Sequence, residues 1–91
     1  MITVDVPGAL QAHARGRTIV LDAPCATVGE ALLALGAHYP GVLDRVLDER
    51  GELRPHVNVF VGDANTRFAG GLGAPLPEGS TITILPAVSG G

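Results

Sequence analysis

A two-layer α+β domain, one mixed sheet of four to five strands with one main helix packed on one face, is the architecture this sequence predicts. Three observations carry that prediction. β-Branched runs recur at both ends and in the middle of the chain, one capped amphipathic stretch begins near residue 27, and Pro/Gly punctuation separates them. Their order is strand, strand, helix, strand, short strand, strand, and one helix suffices to cover one face of such a sheet.

Ile2-Thr3-Val4-Asp5-Val6 alternates apolar and polar residues with period two, as a half-buried strand does, and Pro7-Gly8 ends it. A Gly/Ala-rich connection leads to Thr18-Ile19-Val20-Leu21-Asp22, a second β-branched run closed by Ala23-Pro24, so the chain opens as a hairpin. Thr27-Val28-Gly29-Glu30 is a capping-box pattern: the Thr hydroxyl accepts from an early helix amide while the Glu side chain reaches back to the cap. Behind it Val28, Ala31, Leu32 and Leu35 form one apolar stripe. Gly36 lies inside this helix at a cost of about 1 kcal/mol relative to Ala, which close packing or an early helix end explains. Pro40-Gly41 terminates the helix, and Val42, Leu43, Val46 and Leu47 suggest a further turn or two.

Val57-Asn58-Val59-Phe60-Val61 is the third strand, 62–65 is turn material, and Thr66-Arg67-Phe68 is a short fourth strand. Ala69-Gly70-Gly71-Leu72-Gly73 is Gly-rich but not a phosphate loop, because no Lys or Ser/Thr follows at the required spacing. After the turn Pro77-Glu78-Gly79-Ser80, Thr81-Ile82-Thr83-Ile84-Leu85 is a strong last strand. Residues 1–86 are expected to form the domain and 87–91 a flexible C-terminal tail.

With 91 residues, the chain buries only about 60–65% of its unfolded surface. A core that small leaves little room for an internal active site and favours a carrier, subunit or binding module over an enzyme. No apolar run is long enough to span a bilayer and the N-terminus lacks a secretory pattern, so a cytoplasmic protein without membrane contact is expected. A net charge of −3 with scattered Arg argues against nucleic acid, which calls for a basic stripe. The single Cys25, just ahead of the predicted helix, excludes an intrachain disulfide and a cysteine cluster for zinc. His13, His38 and His56 stand apart in sequence, so no metal site is expected. All six basic residues are Arg and there is no Lys, so the chain offers no side-chain amine for acylation by its own terminus.

The sequence ends Leu85-Pro86-Ala87-Val88-Ser89-Gly90-Gly91. Glycine lacks Cβ, so a Gly-Gly end threads a narrow channel that other residues would block. The Gly91 carboxylate is then a chemical handle, activated as an acyl phosphate or adenylate and passed to a nucleophile. Pro86 removes a donor and fixes φ, which ends the ladder and launches an extended tail. Strand parity places Ile82 and Ile84 towards the helix and Leu85 on the open face; Val57, Val59 and Val61 inward and Phe60 outward. Phe60 and Leu85 are therefore candidate docking anchors beside the tail, with Pro86, Ala87, Val88 and Ser89 completing the partner-binding set.

The tail Thr83–Gly91, with Val57–Val61 and Arg67-Phe68-Ala69-Gly70-Gly71-Leu72, resembles the ubiquitin-like sulfur carriers of the ThiS/MoaD type across essentially the whole chain. It is most similar to the cysteine-synthesis branch, whose tail and Asn-Val-Arg-Phe-like stretch match Leu85–Gly91 and Asn65–Phe68; Ala87 departs from the Pro-Pro of many molybdopterin-type tails. The resemblance implies a ubiquitin-like β-grasp in which the last strand lies beside the first, a pairing no sequence pattern proves. It also implies a protein co-substrate rather than an enzyme. An E1-like adenylyltransferase/sulfurtransferase would spend ATP to adenylate Gly91, and a sulfur source would displace AMP. The resulting C-terminal thiocarboxylate would carry sulfur covalently with no bound cofactor. The implied acceptor is a synthase of the cysteine synthase type, with a metalloprotease as a further partner. Three alternatives stand beside this: the small subunit of molybdopterin synthase serving its large subunit, a modifier joined to lysines of other proteins, and a β-grasp interaction module with an inert tail.

Overall fold

The computed structural model describes residues 1–14, 16–22 and 24–86. Strand β1 (Ile2–Asp5) buries Ile2 and Val4, and β2 (Thr18–Leu21) buries Ile19 and Leu21, so alternation in each strand selects one core face. The two pair antiparallel with Val4 opposite Ile19. Their connection is not plain loop: a 3-10 turn (Gly8–Leu10) runs into a single helical turn, α1 (Gln11–Ala14), that buries Ala14. So few residues cannot display a helical period, which is why the pattern read as a connection.

Helix α2 (Val28–His38) begins at the expected cap. The Glu30 amide donates to the Thr27 hydroxyl at 3.2 Å, and the Glu30 carboxylate reaches back to the Ala26 amide, one residue ahead of the cap, also at 3.2 Å. The Gly-rich segment closes over this end, since the Val28 amide donates to the Ala74 carbonyl at 3.1 Å and the Leu76 amide to the Ala26 carbonyl at 3.0 Å. Those helix-terminal donors are thus spent within the fold rather than on a phosphate. Val28, Ala31, Leu32 and Leu35 are all buried, the stripe the spacing predicts. After Tyr39 the chain restarts as α3 (Pro40–Val46), with Pro40 in its first turn, where a missing amide costs nothing. Gly36 is explained by close packing: a Cβ there would stand 2.2 Å from Leu43 Cδ2 and 2.9 Å from Leu43 Cβ, so its absence lets α2 and α3 approach.

Strand β3 (Val57–Val61) turns back through Gly62 and Asp63 into β4, which is Ala64–Asn65 rather than 66–68. Thr66–Phe68 is a 3-10 turn. The shift has a local cause: the Asn65 side chain accepts from the Arg67 amide at 3.0 Å and caps the turn. The buried Thr66 hydroxyl meanwhile donates to the Val59 carbonyl at 2.8 Å.

The last strand, β5 (Thr81–Pro86), completes a sheet of order β2-β1-β5-β3-β4. It lies parallel to β1, with Val4 opposite Ile82, and antiparallel to β3, with Val59 opposite Ile84. Ile82 and Ile84 are fully buried at the centre of a core shared with α2, α3, β1 and β3. The strand that leads into the tail is therefore the one most surrounded by structure.

Candidate functional site

The chain leaves the sheet at Pro86, whose register partner is Val57 on β3. Leu85 lies one residue earlier, opposite Asn58, on the face away from the helices, and is 43% exposed. Phe60 shares that face, opposite Thr83 and hence diagonal to Leu85 on the neighbouring strand, but it is only half-exposed. The sheet thus brings the two candidate anchors to one surface, with Leu85 the more open. Pro86 is exposed at the edge of that surface. Ala87, Val88, Ser89, Gly90 and Gly91, the remaining candidate site residues, lie outside the described residues.

Two hollows flank the end of β5 and share Pro7, Ile84 and Leu85 in their walls. One, about 470 Å³, is completed by Asp5, Gln11 and Arg17. The other, about 270 Å³, is lined by Leu10, Arg45, His56 and Pro86 and is the more apolar. The Gln11 side chain donates to the Val6 carbonyl at 3.3 Å, and the Val6 amide donates to the Arg17 carbonyl at 2.8 Å, so α1 and the approach to β2 hold the wall of the first.

Arg67 has a role that sequence reading missed. It reads as a solvated surface residue, yet its guanidinium donates to the Val57 carbonyl at 2.6 Å and to the Arg54 carbonyl at 3.3 Å. It therefore braces the backbone that faces Pro86. No spacing rule announces this, because the acceptors are carbonyls brought near by the turn after β4. Phe68, next to it, is 85% exposed. Among the described residues no three His, Cys, Asp or Glu side chains group closely enough to hold a metal ion, and no helix is long and apolar enough to cross a membrane. Cys25 is half-buried against the core.

A mixed sheet wrapped around a capped helix, with the last strand central and parallel to the first, defines a ubiquitin-like β-grasp domain. The chain belongs to the ThiS family, which it matches over residues 4–91. It is 39% identical to the sulfur carrier protein CysO of Mycobacterium tuberculosis over 92 aligned positions, covering 99% of this chain and 98% of that protein. Small archaeal modifier protein 3 of Haloferax volcanii is 36% identical over 66 positions, 72% of this chain and 71% of the relative. Among solved structures, M. tuberculosis CysO superposes with a TM-score of 0.88 at 35% identity, covering 97% of this chain and 100% of that one. CysO in the Amycolatopsis orientalis BexX/CysO complex superposes with a TM-score of 0.87 at 37% identity, covering 100% of both chains. These relatives are small carrier and modifier proteins, not enzymes themselves, and this chain is of their kind.

Proposed function

We propose that this chain is a sulfur carrier that works through a thiocarboxylate at Gly91. The supporting observation is the family match running through residue 91, on a chain similar to CysO over nearly its whole length. The Gly91 carboxylate attacks the α-phosphorus of ATP in an E1-like partner and pyrophosphate leaves. Sulfide then attacks the acyl carbon, and AMP departs with one of the original carboxylate oxygens. A carboxylate is a poor acyl donor until one oxygen belongs to a good leaving group, and the thiocarboxylate is a soft nucleophile tethered where it is needed. The acceptor is a synthase making cysteine or a related thio-metabolite, a metalloprotease is a further partner, and the setting is the cytoplasm. Gly90 gives the tail its slender end, while Phe60, Leu85, Pro86, Ala87, Val88 and Ser89 meet the partner.

Intact-mass measurement after incubation with ATP, the E1-like enzyme and sulfide should show a gain of about 16 Da, the exchange of one oxygen for sulfur. Deleting Gly91 should abolish it. No gain under conditions where an authentic carrier responds overturns the proposal.

A second reading, as a protein modifier, draws on the similarity to the archaeal modifier protein. Because the chain has no Lys, the amine in any side-chain isopeptide would come from another protein. Trypsin would leave residues 68–91 on a modified lysine, because the last Arg is Arg67 and no Lys follows it. Branched peptides carrying that segment on lysines of other proteins, found by mass spectrometry in cells producing the chain, would mark that activity.

A further inference from the structure

The positive charge of this acidic chain is not spread evenly, and its distribution assigns a partner surface. Of the described arginines, Arg50 stands 3.3 Å from Glu52 and 3.8 Å from Asp48, and Arg67 is committed to two backbone carbonyls. Arg17, Arg45 and Arg54 make no ion pair within 4.0 Å with a described carboxylate, although the Arg54 charge acts at longer range on Asp48. Arg45 donates through one nitrogen to the Gly41 carbonyl and Arg54 through Nε to the Asp44 carbonyl, which fixes both side chains while leaving guanidinium donors over. All three lie near the end of β5. Arg17 lines the hollow on one side of Leu85, Arg45 and His56 the hollow on the other, and a third hollow of about 340 Å³ joins Arg45 and His56 to Arg54. Asp5 and Asp44 are the carboxylates lining these hollows, and Asp5 already accepts from the Thr18 hydroxyl.

The geometry points to a basic collar of Arg17, Arg45, Arg54 and His56 that seats against an acidic rim on the E1-like adenylyltransferase that activates Gly91. The inference rests on the sulfur-carrier reading and deepens it. A chain of net charge −3 is repelled overall by an acidic surface, so a local collar orients approach as well as adding contact. Unpaired guanidinia at a rim act mainly on encounter and on salt dependence. Apolar Leu85 and Pro86 lie inside the collar, the arrangement of a desolvated centre with a charged rim.

The test is ATP–pyrophosphate exchange with the E1-like adenylyltransferase of the same organism, titrating the full-length chain. Arg45→Glu combined with Arg54→Glu should raise KM by about tenfold or more while kcat stays within about twofold. The KM of the unmodified chain should climb with added NaCl, and that of the variant should climb far less. Arg45→Lys should behave like the unmodified chain, because the rim reads charge, and Arg50→Ala, whose charge is already balanced, should change nothing. Thermal melts identify any loss of fold, and the milder Arg45→Gln with Arg54→Gln then serves in its place. A KM unchanged in folded charge variants overturns the collar alone. No exchange with the unmodified chain overturns the carrier reading and the collar with it.

Discussion

At the scale of single residues, two positions show packing and hydrogen bonding overriding intrinsic preference. Ala is favoured over Gly in a helix interior by about 1 kcal/mol, so propensity alone makes Gly36→Ala stabilising. The 2.2 Å approach to Leu43 reverses the sign, because even a rotated Leu leaves its Cβ 2.9 Å away and α2 and α3 must part. Overpacking of this kind costs about 1–3 kcal/mol, and chemical denaturation should report a net loss. Combining Gly36→Ala with Leu43→Ala should be less damaging than the sum of the two. Leu43→Ala removes the 2.2 Å contact and leaves only the approach to Cβ, while the new methyl fills part of the gap left by Leu43. Thr66 is the buried polar residue of the described core. Replacing it with Val preserves shape but leaves the Val59 carbonyl without its 2.8 Å donor. A loss of about 1–3 kcal/mol is expected, read as a drop of roughly 4–8 °C per kcal/mol in melting temperature.

At the scale of elements, the link from α3 to β3 matters because it carries Arg54 and His56 to the tail side of the sheet. Its turn is built on Asp48, whose carboxylate accepts from the Arg50 amide at 2.9 Å and the Glu52 amide at 3.0 Å. The Glu52 amide is the strongest influence, and the Arg50 amide with the Arg50 and Arg54 charges adds to it. Together they outweigh desolvation and hold the Asp48 carboxyl below its ordinary 3.8. A lowered folded value means the contribution is fully present above the unfolded value and is lost as pH falls through the folded one. The melting-temperature gap between the unmodified chain and Asp48→Asn should therefore be constant above about pH 5 and shrink through and below pH 4. A gap that instead changed around neutrality would assign the turn's stability to another group. The shorter elements show where element reading stops: α1 has four residues and β4 two, too few for any period, and Asn65 and Thr66 moved the fourth strand by making side-chain bonds that a pattern of apolar residues does not encode.

At the scale of the whole molecule, what was legible in the sequence was what depends on local pattern. The alternating strands, the Thr27–Glu30 cap and the buried stripe of α2 all lie where period and capping placed them. Parity likewise put Leu85 and Phe60 on the open face. Long-range facts were not legible. The parallel pairing of β1 with β5 joins residues nearly eighty positions apart and was implied only by the family resemblance. The hollow shared by Arg17 and Leu85 exists only once that pairing has formed, and the Arg67 brace waits on the turn after β4. The proposed division between a core that folds and a C-terminal segment that reacts predicts a clean dissociation of stability from chemistry. Ile82 is completely buried in the central strand, and Ile82→Ala should cost about 2–5 kcal/mol through lost burial and the cavity left behind. Gly91 carries no side chain to bury, so its deletion should leave the melting temperature within about 1–2 °C. In the activation assay the two variants should trade places: at a temperature where it is still folded, Ile82→Ala should gain the full 16 Da, about the mass of oxygen replaced by sulfur, while the chain lacking Gly91 should gain nothing. Equal loss of mass gain in both folded variants would tie the chemistry to the core rather than to the tail, and would overturn the division of labour proposed for this fold.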